Sequence, residues 1–338
     1  MLKIKSRIAA FCGASLLMAG TALAADVKVA AISGYFAQGF GQSIVAGLNK
    51  AKDDFGVEVK LIDTGNRALD YEEQFNNVAK DGEYDLVFVM GWELVDALTK
   101  AAEAYPDQRF IFIDGVLDSD KIVYADFSEE EGSFVTGAFA SLMAAKGSAI
   151  DGLGDGKSIG FVGGRDIPVI RNFLRGYEQG AKYANPKAEV FQNMTGTTGA
   201  AWNDPARGGE LAKAQFAKGA DVIFAAAGGT GTGVYQAAKD SGKLAIGVDS
   251  NQNHLQPGTM LTSMLKRVDV AVYNVSKNHK PGMSVLGLKE DGVGYALDKH
   301  NEKLVTADMK KKVEAAKADI IAGKIKVADY MADNACKY

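Results

Sequence analysis

Short runs of apolar residues, rich in Val, Ile and Phe, recur along this chain with helical patterns between them. The clearest cover residues 27–32, 57–62, 86–90, 110–113, 158–162, 222–226 and 244–248. Mostly continuous apolarity of this kind predicts strands buried on both faces of a parallel sheet. Residues 40–55, 94–104 and 209–217 instead place apolar side chains at helical spacing. The alternation predicts an α/β chain with right-handed crossovers and doubly wound sheets. A Gly-rich polar stretch, KGSAIDGLGDGK at 146–157, precedes a fresh strand-helix series, which predicts two lobes. Ser128 with Glu131 three residues on reads as a capping box opening a helix to Ala144. The first crossing between lobes is therefore expected at Asp126 and Phe127.

The amino terminus departs from this pattern. Lys3, Lys5 and Arg7 precede an apolar run at 8–23 and the small-x-small triplet Ala22-Leu23-Ala24. These features predict a secretory leader, residues 1–24, cleaved near Ala24 and leaving a periplasmic protein. Cys12 follows the bulky Phe11 and sits too early for a lipid-anchor junction, so a free protein is expected. Without the leader the formal net charge moves from −4 to about −7. No basic block stands out, which disfavours nucleic acid. Cys336 is then the one remaining cysteine, which excludes an intramolecular disulfide. A monomer is expected.

Ligands of open parallel sheets bind past the carboxyl ends of strands. Those ends here read SGYFAQGFGQS (33–43), Gly91-Trp92-Glu93, Asp114-Gly115, Gly163-Gly164-Arg165-Asp166, Ala227-Gly228-Gly229-Thr230-Gly231 and Asp249-Ser250-Asn251-Gln252. Aromatic faces beside carboxylates and amides suit a flat, hydroxyl-bearing ligand such as a sugar or a nucleoside. Each candidate also has a plainer reading. Phe40 falls at helical spacing and fits a core position; Asp114 and Asp249 fit helix caps or turns; Trp92 and Trp202 fit packing. Glycines 228, 229 and 231 lack the Lys-Ser/Thr of a phosphate loop, so close backbone approach to a neutral ligand is the better reading.

Catalytic constellations are missing from the pattern. His254, His279 and His300 have no metal-ligand spacing to one another or to Cys. Gly156-Lys157-Ser158-Ile159-Gly160 matches a nucleophile-elbow string, but Ser158 opens a strand rather than following one. The run Glu129-Glu130-Glu131 suits a helix amino terminus, with a docking patch for a membrane partner as the sharper alternative. No enzyme, cofactor or metal is expected.

Four segments together carry a resemblance: 110–143 (FIFIDGVLDSDKIVYADFSEEEGSFVTGAFASLM), 159–186 (IGFVGGRDIPVIRNFLRGYEQGAKYANP), 219–252 (GADVIFAAAGGTGTGVYQAAKDSGKLAIGVDSNQ) and 261–272 (LTSMLKRVDVAV). The chain resembles the basic membrane protein family of ABC-importer substrate-binding proteins, which includes purine nucleoside receptors. The resemblance implies a type I periplasmic binding fold, with two Rossmann-like lobes, a three-strand hinge and a cleft that closes on its solute. Lobe one would hold 25–126 and 257–288, lobe two 127–256 and 289–338. It implies delivery of a nucleoside-like solute, a purine nucleoside foremost, to an ABC permease; a sensory receptor of the same fold, for a sugar or another small molecule, is the alternative. By position, Phe40 is similar to the aromatic that stacks on the base, and Phe224 to a second apolar wall. Asp249 is similar to the ribose-binding carboxylate and Lys266 to its basic partner. Asp114 and the backbone of Gly228 and Gly229 are similar to further contacts. The chain departs from the family after the first strand, where Gly41 stands in place of Asn and no acid appears. There Gln38 or Gln42 would supply amides, and Tyr35 or Phe36 stacking surface.

Overall fold

The computed structural model describes residues 27–37, 39–146, 153–154, 156–278 and 284–333. The expected leader, Gln38, His279 and Cys336 lie outside them. The chain opens with β1 (Lys28–Ser33), α1 (Gly39–Phe55), β2 (Glu58–Asp63), α2 (Tyr71–Ala79), β3 (Leu86–Met90), α3 (Val95–Ala104), β4 (Phe110–Ile113) and β5 (Ile122–Phe127). It continues through α4 (Glu129–Ala144), β6 (Ser158–Arg165), α5 (Pro168–Ala184), β7 (Glu189–Gly196), α6 (Pro205–Ala217), β8 (Val222–Ala226), α7 (Gly231–Asp240), β9 (Leu244–Gly247) and β10 (Met260–Lys266). Last come α8 (Val268–Asn278), β11 (Ser284–Leu286), β12 (Val293–Tyr295), α9 (Ala307–Ile321) and α10 (Tyr330–Asp333).

The strands form two six-stranded sheets, ordered β11-β5-β4-β3-β1-β2 and β12-β10-β9-β8-β6-β7. All pairings are parallel except that of β10 with β12. The central strands β3, β4, β8 and β9 are buried along their whole length, because helices cover both faces of each sheet. In the first lobe Phe75 of α2 and Leu98 of α3 cover one face, in a cluster with Phe112 of β4. In the second, Leu211, Val234 and Tyr235 of α6 and α7 do the same. The inner faces, covered by α1 and α8 on one side and α4, α5 and α9 on the other, join in a single apolar cluster.

The chain crosses between the lobes after Phe127, after Lys266 and between β11 and β12. Two expectations need correction here. Strand β10 pairs with β9 and β12 in the second sheet, whereas residues from 257 on were assigned to the first lobe; the return begins only at Arg267. The capping box does not form: Ser128 makes no side-chain cap. The Glu131 carboxylate instead accepts from the Leu288 amide at 2.8 Å, because the third crossing passes within its reach. The Ser128 amide donates to the Leu286 carbonyl and the Arg267 amide to the Gly292 carbonyl, so the three crossings are laced together.

Candidate functional site

A cleft between the lobes gathers the carboxyl ends of strands from both sheets. Its non-atom space, the open mouth included, is about 840 Å³. Strands β4 and β9 hold the same place in their sheets, and an aspartate follows each, Asp114 directly after β4 and Asp249 two residues after β9. Asp114 has φ +76° and Asp249 φ +65°. Aspartate tolerates this left-handed region better than most residues, and the turn aims both carboxylates into the cleft. The Asp114 amide donates to the Ala125 carbonyl (2.9 Å), and the Asp249 carbonyl accepts from the Lys266 amide (2.8 Å).

Lys266, the last residue of β10, is the charge around which the acids assemble. It is only 2% exposed. Its ammonium pairs with Asp114 of the other lobe and with Glu129 Oε1 at 2.8 Å. Its Nζ lies 5.3 Å from the ring centre of Phe40, 5.2 Å from that of Phe173 and 5.4 Å from that of Phe127, distances at which a ring face attracts a cation. Burial alone would lower the lysine's affinity for its proton, but Asp114, Glu129 and Asp249 overcome this and raise it. The acids are pushed the same way. Burial lifts Asp249 to about 6, with Lys266 pulling back and Asp114 adding to the rise. Burial, then the neighbouring Asp114, lifts Asp126 to about 6. Burial carries Glu129 well above the ordinary carboxylate range. Asp114, Asp126 and Glu129 approach one another closely enough to hold a metal ion, yet Lys266 already supplies positive charge to two of them.

The walls are aromatic. Phe40 comes from α1, Phe173 from α5, Trp92 from the turn after β3 and Trp202 from the turn before α6. Trp92 stands edge-on against Phe112, centroids 5.3 Å apart, over Gly115, and Trp202 lies over Gly164. A Cβ at either glycine would strike the indole.

Of the residues singled out in the sequence, Phe40, Trp92, Asp114, Gly228, Asp249 and Lys266 line the cleft together. Three do not. Phe224 is fully buried and packs edge-on against Phe161 at 5.6 Å; it sits too far back along β8, and Ala226, two residues on along the same face, reaches the cleft instead. Gln42 lies on the exposed side of α1, its amide donating to the Ala37 carbonyl at 3.2 Å. Gly229 faces the turn at Trp202 and Asn203. Nor do the three glutamates at 129–131 form an exposed docking patch: Glu129 and Glu130 are buried, and Glu130 accepts from Asn172 Nδ2 at 2.7 Å.

The sequence does not single out Phe173; Arg165 and Glu93 stand only within strand-end stretches, and Tyr35 only as stacking surface. All four line the cleft. Their strand-end and helix-face positions were visible; their convergence from two lobes was not. Chemically, the cleft offers ring faces, acceptors at two aspartates and one buried cation, a set suited to a ligand with an apolar plane and several hydroxyls.

Comparison with known proteins gives a consistent picture. The family model described as ABC transporter substrate-binding protein, PnrA-like, matches residues 27–330. Basic membrane protein D of Borreliella burgdorferi (strain JD1) is 34% identical over 276 residues, 78% of this chain and 76% of that protein. The ABC transporter nucleoside-binding protein BmpA of Lactococcus lactis subsp. cremoris is 32% identical over 286 residues, covering 78% and 76%. Among solved structures, an ABC transporter solute-binding protein from Aeropyrum pernix K1 superposes with a TM-score of 0.79 at 27% identity, covering 90% of this chain and 93% of its own.

Proposed function

We propose that this chain, which belongs to the PnrA-like (Bmp) family of ABC transporter substrate-binding proteins, captures a nucleoside in the interlobe cleft and presents it to a permease. The family binds solutes rather than transforming them. The observation that carries the nucleoside reading is the meeting of Asp114, Asp249 and Lys266 beside the Phe40 ring. In this reading the ring of Phe40 stacks on the base. Asp249, which forms no ion pair in the described residues, accepts from ribose hydroxyls, and Lys266 donates to them. Asp114 and Lys266 come from different lobes, so hinge closure completes the polar end of the site. The relative named as nucleoside-binding supports the same choice of ligand. Residues 1–24 fit export across the inner membrane, which is where such a receptor meets its permease.

The test is a melting-temperature screen of the purified protein against nucleosides, free nucleobases and pentoses, followed by titration calorimetry. A nucleoside should bind one to one and more tightly than either of its halves. Stabilisation by pentoses alone, or by none of the panel, would overturn the reading.

A further inference from the structure

One buried side chain behind the cleft wall links the charged cluster to the carboxy-terminal segment. Asn172 lies on α5 and is 1% exposed. Its neighbour Phe173 lines the cleft. The Asn172 amide is engaged at both ends. Nδ2 donates to Glu130 Oε2 at 2.7 Å and to Glu129 Oε2 at 3.2 Å, and Oδ1 accepts from the Tyr330 backbone amide at 2.9 Å. The Tyr330 N–H can only donate, so it fixes the amide with its NH2 toward the acids. The other Glu129 oxygen pairs with Lys266 at 2.8 Å, and Lys266 pairs with Asp114 across the cleft. Contacts thus run unbroken from Tyr330 through Asn172, Glu129 and Lys266 to Asp114.

The frame around this chain of contacts is tightly built. α4 and α5 cross with their backbones in contact at Gly176, where an added Cβ would overlap the Glu130 carbonyl. Asn172, one turn earlier, therefore keeps its place beside the start of α4. Two turns after Asn172, Gln179 holds Ala328 twice. Its Oε1 accepts from the Ala328 amide at 2.8 Å, and its Nε2 donates to the Ala328 carbonyl at 3.0 Å. Met331 packs on the apolar cluster. Residues 328–331 are thus laid along α5 by side chains of that helix, and the Tyr330 N–H reaches Asn172 as part of a fixed segment.

From this geometry we infer that Asn172 is a positioning residue for the solute site. It anchors Glu129, Glu129 holds the Lys266 ammonium, and the carboxy-terminal segment holds Asn172. Asn172 itself meets no solute, because it is closed off from the cleft. Without this donor the sheltered Glu129 carboxylate keeps one partner in place of two, and a buried network loses more than the single bond removed. The lysine then meets the ribose hydroxyls from a less fixed position, which lowers affinity without removing the site. The inference rests on the nucleoside reading above and adds to it a link from the end of the chain to the cleft.

Titration calorimetry with inosine, guanosine and adenosine tests it. Asn172→Ala should weaken binding of the preferred nucleoside about 10-fold. In a Glu129→Met background, where the link to Lys266 is already cut, the same change should cost less than about 2-fold more. Tyr330→Pro removes the backbone donor at the first position of α10, where proline is tolerated. It should bind about 3-fold more weakly than Tyr330→Ala, which keeps the N–H. Ligand-free melting curves show which variants are folded; an asparagine that served stability alone would lower the melting temperature and leave these affinities alone. Equal losses in the two backgrounds, or affinities within about 2-fold for the two Tyr330 variants, would overturn the inference and leave the nucleoside reading intact. If Asn172→Ala does not fold, the Tyr330 pair decides. Failure of all three nucleosides to bind the unaltered protein would instead overturn that reading, and this inference with it.

Discussion

The two lobes share a strand order but differ in what their hinge strands carry to the cleft. β5 and β10 occupy equivalent places, next to the strands that lead into Asp114 and Asp249. β10 ends in Lys266, while β5 ends in Asp126 and Phe127. The first lobe thus brings acids without a cation, and the second brings a cation together with Glu129. Asp114 finds its counter-charge only across the cleft. Lys266 thus pairs within its own lobe with Glu129 and across the cleft with Asp114, so shutting the cleft and completing the polar site become one event.

Removing the lysine breaks this comparison most severely. Lys266→Met leaves Asp114 and Glu129 sheltered without their cation, and should cost about 3–5 kcal/mol of stability, read from urea unfolding; adding Glu129→Gln should restore part of it. The two aspartates separate next. Asp249→Ala should weaken nucleoside binding by about 2–4 kcal/mol by stranding hydroxyl donors. Asp114→Ala should cost less, because Lys266 already engages that carboxylate. Calorimetry giving the two variants equal losses would erase the distinction drawn between the lobes. Phe40→Ala should lose about 1–3 kcal/mol of affinity, as base–aromatic stacking does.

The smallest effect is on pH. Glu130 is held protonated to about 8 by burial, far above its ordinary range. The folded state therefore binds a proton that the unfolded chain has already released. Stability from this group is full at acid pH and lost as pH rises toward 8. Between pH 6 and 8 the loss should be about 1–2 kcal/mol, visible in melting curves. Glu130→Gln, which keeps an acceptor for Asn172, should flatten the profile.

The chain announced its fold where strands are buried on both faces. Leu86–Met90, Phe110–Ile113 and Val222–Ala226 are unbroken apolar runs and match their elements. The half-exposed edge strand β7 (EVFQNMTG) and the hinge strands β5 (IVYADF) and β10 (MLTSMLK) were harder to see, because polar residues interrupt them. The site was legible where a single strand end fixes a side chain, as at Asp114 and Asp249. It was not where depth along a strand decides, as between Phe224 and Ala226, or where a helix face decides, as for Gln42. For Arg165 and Glu93 the strand-end position is visible in the sequence, but nothing local says that residues from the two lobes converge there.

The chain contains two tryptophans, and both border the cleft, Trp92 from the first lobe and Trp202 from the second. Indole emission from this protein therefore originates at its solute chamber, with one emitter on each lobe. Excited at the indole band, the molecule is its own optical gauge of capture and release, and replacing either ring with phenylalanine would assign the signal to one side.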